Sequence, residues 1–161
     1  MKVLVLSIGT VVAALSLTYG LGIASASSNS ARAAAKVGTA GSQLGRILVD
    51  SHGRTLYLFA RDKKGKSTCA GACAAYWPAL ITSGKPHAIS GAKASLLGTT
   101  RRADGRLQVT YRHHPLYRFS GDTTKGLTTG QGLGDFGGKW WVVSPAGQKI
   151  TAATGTPNPG Y

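Results

Sequence analysis

Tyr57-Leu58-Phe59-Ala60-Arg61-Asp62 and Tyr117-Arg118-Phe119-Ser120-Gly121-Asp122 are one phrase, Tyr-x-Phe-x-x-Asp, written twice 60 residues apart. The match continues upstream at the same offset. Gly45-Arg46 repeats as Gly105-Arg106, Val49 as Val109 and Leu56 as Leu116, giving seven identities over residues 45–62. A register kept over that length marks an internal duplication. Two copies are too few for a solenoid, so the expectation is a compact domain with two related halves.

Tyr and Phe two residues apart share one face of a β-strand. Leu58 takes the opposite face in the first copy and Arg118 in the second, so the first strand reads as buried on both sides and the second on one. Each Asp falls where its strand ends. An Asp there ordinarily binds backbone N–H groups of the following turn. The sharper reading makes Asp62 and Asp122 a ligand or cation site. All five acidic residues are Asp, and two of the five occupy equivalent places in the repeat.

A length of 161 residues suits one domain. Residues 1–26 read as a signal peptide. Lys2 gives a positive start, Val3 to Leu17 is apolar, and Ala24-Ser25-Ala26 is a small-residue cleavage pattern. The alternative is a retained anchor. No Cys lies near the cleavage point, so the new terminus carries no thiol for lipid attachment. Residues 27–43 read as a flexible leader, 44–151 as the duplicated domain (copies at about 45–80 and 105–148), and 152–161 as a disordered tail. Once the signal is removed, no transmembrane segment is expected.

Nineteen Lys and Arg against five Asp give a formal charge of +14. Such a charge draws a protein to polyanions. Outside a cell these are wall polymers, polysaccharides and lipid head groups. The basic residues gather at Arg61, Lys63, Lys64 and Lys66, and again at Arg101, Arg102, Arg106 and Arg112. There is no zinc-finger spacing and no RNA-stacking signature, so specific nucleic-acid recognition is not expected.

Cys69 and Cys73 form an even pair in an exported chain and read as a disulfide. The alternatives are a redox dithiol and half of a metal site. Redox motifs usually place two residues between the cysteines, and this one places three. Zinc would need two more ligands, for which His113-His114 is the nearest cluster. Ala-rich sequence around Cys73 predicts a short helix that Pro78 stops at or before Trp77. Trp77 and Tyr76 read as core or hairpin-packing residues.

Residues 46–50 and 55–60 predict a hairpin. Lys93 to Leu97 suits one helical turn, and Asp104-Gly105 a tight turn. Leu107, Val109 and Tyr111 alternate with Arg106, Gln108, Thr110 and Arg112, which predicts a half-buried strand with a wet side. Trp140 to Val143 predicts a strand, and Gln148 to Thr151 pairs back on it. Gly130-Gln131-Gly132-Leu133-Gly134 has the look of a nucleotide loop, but a Trp-rich strand follows where such a loop needs a helix. The glycines are better suited to a long surface loop beside Trp140.

These stretches together resemble a bacterial family, the secreted repeat with a Y-x4-D motif, whose members are described as predicted lipoproteins carrying Yx(FWY)xxD. The resemblance rests on both Tyr-x-Phe-x-x-Asp phrases and on Cys69-x-Gly71-x-Cys73-Ala74-x-x-Trp77-Pro78. It rests also on Arg102-Ala103-Asp104-Gly105-x-x-Gln108-Val109-Thr110-Tyr111 with Pro115-Leu116-Tyr117, and on Gly130-Gln131-Gly132 through Trp140. It implies an exported bacterial protein and implies no reaction. Two features depart from the pattern: the lipobox Cys is absent, and His114 stands where glycine is common.

The sequence therefore predicts an all-β domain of two related hairpin repeats with a short disulfide-bearing helix or turn. Its candidate binding residues are Tyr57, Phe59, Asp62, Trp77, Tyr117, Phe119, Asp122 and Trp140. The expected function is a non-enzymatic binding module for anionic cell-surface or wall components. The alternative is an extracytoplasmic redox or metal/haem-associated protein, although no haem-attachment Cys-x-x-Cys-His occurs and adjacent His side chains on a strand diverge. A hydrolase is less suited, since Glu is absent and there is no Gly-x-Ser-x-Gly elbow. No catalytic residue, metal ligand or cofactor is assigned.

Overall fold

A computed structural model describes residues 33–151. The predicted signal peptide, the first part of the leader and the predicted tail lie outside the described residues. The domain is mainly β, as expected. Strands β1 (Lys36–Ser42) and β2 (Gly45–Asp50) form an antiparallel hairpin, extended at β1 by the parallel strand β5 (His87–Ala88). Strand β3 (Tyr57–Phe59) pairs with β9 (Trp140–Val142). Strand β7 (Leu107–Tyr111) lies between β6 (Leu97–Arg101) and β4 (Ile81–Thr82), and also pairs with β8 (His114–Pro115). Helix α1 spans Ala72–Tyr76 and ends at Trp77, just before Pro78, as the sequence predicts. A 3₁₀ turn covers Ala94–Leu96.

The leader ends earlier than residue 43. Val37 is apolar and buried, and β1 supplies the partner that β2 needs. The first hairpin is therefore β1–β2. The expected return strand β3 touches β2 only through the Val49–Thr55 bridge and the Leu56 N–H to Leu48 bond, and spends its ladder on β9. The second motif copy is extended but carries no ladder. Tyr117 makes isolated bridges to Tyr57 and Ala79.

The two halves exchange their closing strands. Leu80 at the end of copy one accepts from Val109 N–H and donates to the Leu116 carbonyl of copy two. Val143 at the end of copy two accepts from Leu48 N–H and donates to the Leu56 carbonyl of copy one. Ala79 bridges Tyr117 as Val142 pairs with Tyr57. Ser120 N–H bonds to Tyr76 carbonyl as Ala60 N–H bonds to Lys139 carbonyl. At the centre the motif tyrosines exchange both backbone bonds, at 2.9 and 3.0 Å.

Burial follows from this arrangement. One core cluster holds Val37, Leu48, Leu56, Leu58, Leu80, Val109, Tyr111, Leu116 and Val143. The other gathers the motif aromatics with Ile47, Val49 and the two cysteines. The wet side expected for β7 is dry. Gln108 and Thr110 are buried, and the Arg102 side chain, itself held by the Cys69 carbonyl, lies against Gln108. Gln108 meets the cost of its burial by accepting from Arg102 and donating to Leu116 carbonyl.

Candidate functional site

All eight sequence-predicted residues converge on one place. Phe59, Trp140, Trp77 and Phe119 form a continuous ring stack. Trp140 lies face to face with Trp77 at 3.9 Å and 2°. Phe59 stacks on Trp140 at 4.0 Å, and Phe119 leans on Trp77 at 4.5 Å. Each tyrosine meets one indole edge-on, Tyr57 against Trp77 and Tyr117 against Trp140. The stack alternates copies, so every ring contact in its middle joins one half of the molecule to the other. Trp77, Trp140, Tyr57 and Tyr117 are fully buried. Both indole N–H groups are buried without a hydrogen-bond partner among the described residues, which the stacking must outweigh.

The tyrosine hydroxyls reach across in the same way. Tyr57 donates to Asp122 at 2.5 Å, and Tyr117 donates to Asp62 at 2.6 Å. The other oxygen of each carboxylate binds its own loop. Asp62 accepts from Thr68 N–H and hydroxyl, and Asp122 from Thr129 N–H and hydroxyl. The two aspartates thus make the same set of bonds, turn N–H groups included. Burial, and then the partner carboxylate, raises the pKa of both tyrosines, so the hydroxyls stay protonated donors. Burial raises Asp62 as well, against the bonds from Tyr117 and Thr68 that oppose the shift.

Disulfide Cys69–Cys73 is formed and lies against the Trp77 side of the cluster. Arg102 locks this turn in place. Its buried guanidinium donates to the Cys69 carbonyl, Ser67 and Gln108, each at 2.7 Å. On copy two the glycine loop takes the equivalent position. A Cβ on Gly130 would sit 2.7 Å from the Trp77 ring, so only glycine lets the backbone close over the stack. Gln131 pins the loop by accepting from Val142 N–H and donating to Ile150 carbonyl.

Two residues, Asp50 and Phe136, lay outside the sequence reading, and a third, Tyr76, departs from it. Asp50 is buried and holds Arg54, Arg118 and the backbone N–H of His52 and Arg54. Burial pushes its pKa up, but those partners outweigh it and hold the carboxyl below its ordinary value. Tyr76, read from sequence as a packing residue, is 59 % exposed, because α1 turns its ring away from the stack that takes Trp77. Phe136, from the glycine loop, is exposed beside it. The signal available in the sequence was the position of both in the segments where the two copies stop matching.

Among the described residues no three of His, Cys, Asp or Glu gather in metal-binding geometry. Burial, helped by Arg112 and His113, lowers the pKa of His114. No described helix is long and apolar enough to cross a membrane.

A surface groove of about 700 Å³ runs between the disulfide turn and the Arg102–Arg106 hairpin. The folded chain also joins the two basic clusters. A Cβ on Gly65 would lie 3.2 Å from the His113 carbonyl, so the Lys63–Lys66 turn sits against the Arg112-His113 turn. Arg61, Lys63, Lys64, Lys66, Arg101, Arg106 and Arg112 are exposed.

No curated protein and no solved structure matches the chain. A family described as a secreted repeat of unknown function matches residues 38–81 and 98–144, which are the two halves that exchange strands in the fold. The chain belongs to this family of secreted repeats, whose place is outside the cytoplasm.

Proposed function

We propose that this exported protein is a non-enzymatic envelope binding module that holds anionic wall or surface polymers, or anionic lipid head groups, mainly by charge. The observation that supports it is the uneven use of the charges. Four of the five aspartates already have partners: Asp50 has Arg54 and Arg118, Asp104 has Arg106 in an exposed pair, and Asp62 and Asp122 have tyrosine and threonine partners. The cations have no such partners in number. Two clusters distant in sequence meet on adjacent turns and present a basic face to solvent. Potentials from grouped like charges add over such a face and are screened by salt.

The test is retention on anionic and neutral supports across a salt series. Retention on an anionic polymer should fall steeply with ionic strength. The combined variant Lys63→Glu, Lys66→Glu, Arg101→Glu should lose it, while reversals at Lys36, Lys85 and Lys149 should leave most of it. Retention that ignores both salt and the first triple variant would falsify the charge reading.

A further inference from the structure

The two halves obey their duplication through the strands and the ring stack and depart from it in one stretch each. In copy one that stretch carries the disulfide and α1; in copy two it is the glycine loop. These divergent stretches meet at one point. Tyr76 closes the first and Phe136 lies near the end of the second, with ring centroids 6.0 Å apart at 42°. They are two of only three exposed large hydrophobic residues among the described residues, the third being Ile89. Between them is an open cleft of about 350 Å³, which Asp135 also lines.

Phe136 is displayed at a backbone cost. Residues 135–138 form a tight turn closed by the Gly138 N–H to Asp135 carbonyl bond, with φ 54 at Phe136 and 77 at Gly137. The first of these positions normally takes Asn, Asp or Gly. A bulky aromatic with positive φ is an outlier of the kind that collects at ligand sites. It is not held there to fill the core, since the residue is 39 % exposed. The turn is clamped instead from below. Arg61 of the first motif donates to Phe136 carbonyl at 3.1 Å, and its side chain lies so close to Gly137 and Gly138 that a Cβ on either would fall within 2.8 Å of it.

We infer that the Tyr76–Phe136 cleft binds a pyranose ring of an acidic wall polysaccharide. This inference rests on the proposed anionic-polymer function and specifies its ligand as a sugar chain. The C–H faces of a pyranose are apolar and weakly positive, and they suit the negative faces of two aromatic rings set at an angle. The Asp135 carboxylate enters no salt bridge among the described residues and accepts from sugar hydroxyls. Arg61 and Lys139 are exposed on the residues that frame this turn, and they supply charge for acidic substituents on neighbouring sugars. A polyanion without rings has no use for the two exposed aromatics. The combination of apolar cleft and basic frame therefore favours an acidic glycan.

The experiment is affinity electrophoresis of the full exported chain in gels containing one of three polymers: polygalacturonate, which is acidic with pyranose rings; dextran, which has the rings without charge; and poly-glutamate, which is acidic without rings. The wild-type protein should be retarded by polygalacturonate more than by poly-glutamate at equal charge, and detectably by dextran. Tyr76→Ala and Phe136→Asn should each weaken polygalacturonate binding about tenfold, abolish retardation by dextran and leave poly-glutamate binding unchanged. Asn adopts positive φ more readily than Phe, so Phe136→Asn should keep or raise the melting temperature. If it melts lower, Tyr76→Ala, at a mostly exposed ring, decides the matter alone. Equal retardation by both acidic polymers, unchanged in the variants, overturns the cleft and leaves the charge reading standing. Retardation by the ring polymers but not by poly-glutamate, lost in the variants, overturns the charge reading and with it the acidic ligand, and leaves only a pyranose cleft. No retardation by any polymer overturns both.

Discussion

At the scale of single residues, the motif is explained by partners in the opposite copy. Tyr57 and Asp122 need each other, as do Tyr117 and Asp62, so a change in either phrase is felt through the other. The environments differ, however. Asp122 is 4 % exposed, while Asp62 is half-buried; the Tyr57 hydroxyl also accepts from the buried Gly130 N–H, which its loss would strand, whereas the Tyr117 hydroxyl has the rotatable Ser67 hydroxyl at 2.8 Å. Removing a donor to a buried carboxylate costs about 1.5–3 kcal/mol, and less where water reaches the group. Tyr57→Phe should therefore lower the urea midpoint clearly, and Tyr117→Phe by no more than about half as much. Equal losses, or none at Tyr57, would contradict the asymmetry. Six residues of this cluster were legible in the sequence because the repeat singled them out, and Trp77 and Trp140 because each stands in a stretch that follows one copy. Their exchange between copies was not, since a linear pattern states which residues recur and not which of two equivalent carboxylates a hydroxyl will meet.

At the scale of elements, the duplication is written in the sequence with a false register. Val49 and Val109 are identical at the common offset, yet the hydrogen bonds equate Val109 with Leu48. Leu56 N–H bonds to Leu48 carbonyl as Leu116 N–H bonds to Val109 carbonyl, and Leu48 and Val109 both donate to an exchanged closing strand. The slip has two physical sources that cancel. In the second hairpin the connection is one residue longer, Thr99 pairing with Val109 around Asp104-Gly105 where Thr39 pairs with Leu48. The next turn is one residue shorter, Thr110 pairing with Pro115 where Val49 bridges Thr55. By the motif the offset is restored. The short turn puts Arg112 and His113 at φ 48 and 65, a pair of positive values that favours Asn and Gly. His113 is exposed at this turn, so its side chain returns little for the strain. His113→Gly should stabilise the domain by about 0.5–1 kcal/mol, partly offset already for glycine's extra unfolded freedom, and raise the melting temperature by a few degrees. A lower melting temperature would show that His113 makes a contribution beyond its backbone shape. The β1 strand was missed in the sequence because Val-Gly-Thr-Ala-Gly-Ser has almost no apolar alternation. Its strand state comes from pairing with β2 and β5, which is tertiary context overriding weak propensity.

At the scale of the whole molecule, strand exchange makes the two halves interdependent. Copy one supplies Leu80 and β4 to the sheet of copy two, and copy two supplies β9 and Val143 to copy one. The central rings alternate between copies, and each tyrosine hydroxyl closes on a carboxylate of the other half. Neither half alone can bury its Trp on both faces or satisfy its Tyr and Asp, and a unit of some 60 residues has little core to spare. A break between Ala92 and Lys93 cuts no strand, since β5 belongs to the first sheet and Lys93 N–H already bonds to Tyr111 of the second half. Fragments 33–92 and 93–151, made separately, should each give spectra of unfolded chains with exposed tryptophan emission. Mixed in equal amounts they should regain the β spectrum and the buried Trp emission of the intact 33–151 chain, with a midpoint that rises with concentration. Independent folding of either fragment would mean that the duplication joined two complete domains and that the exchange came later. Recovery only on mixing means that the unit of folding is the pair, and that a single copy of the repeat could persist only as a dimer with itself.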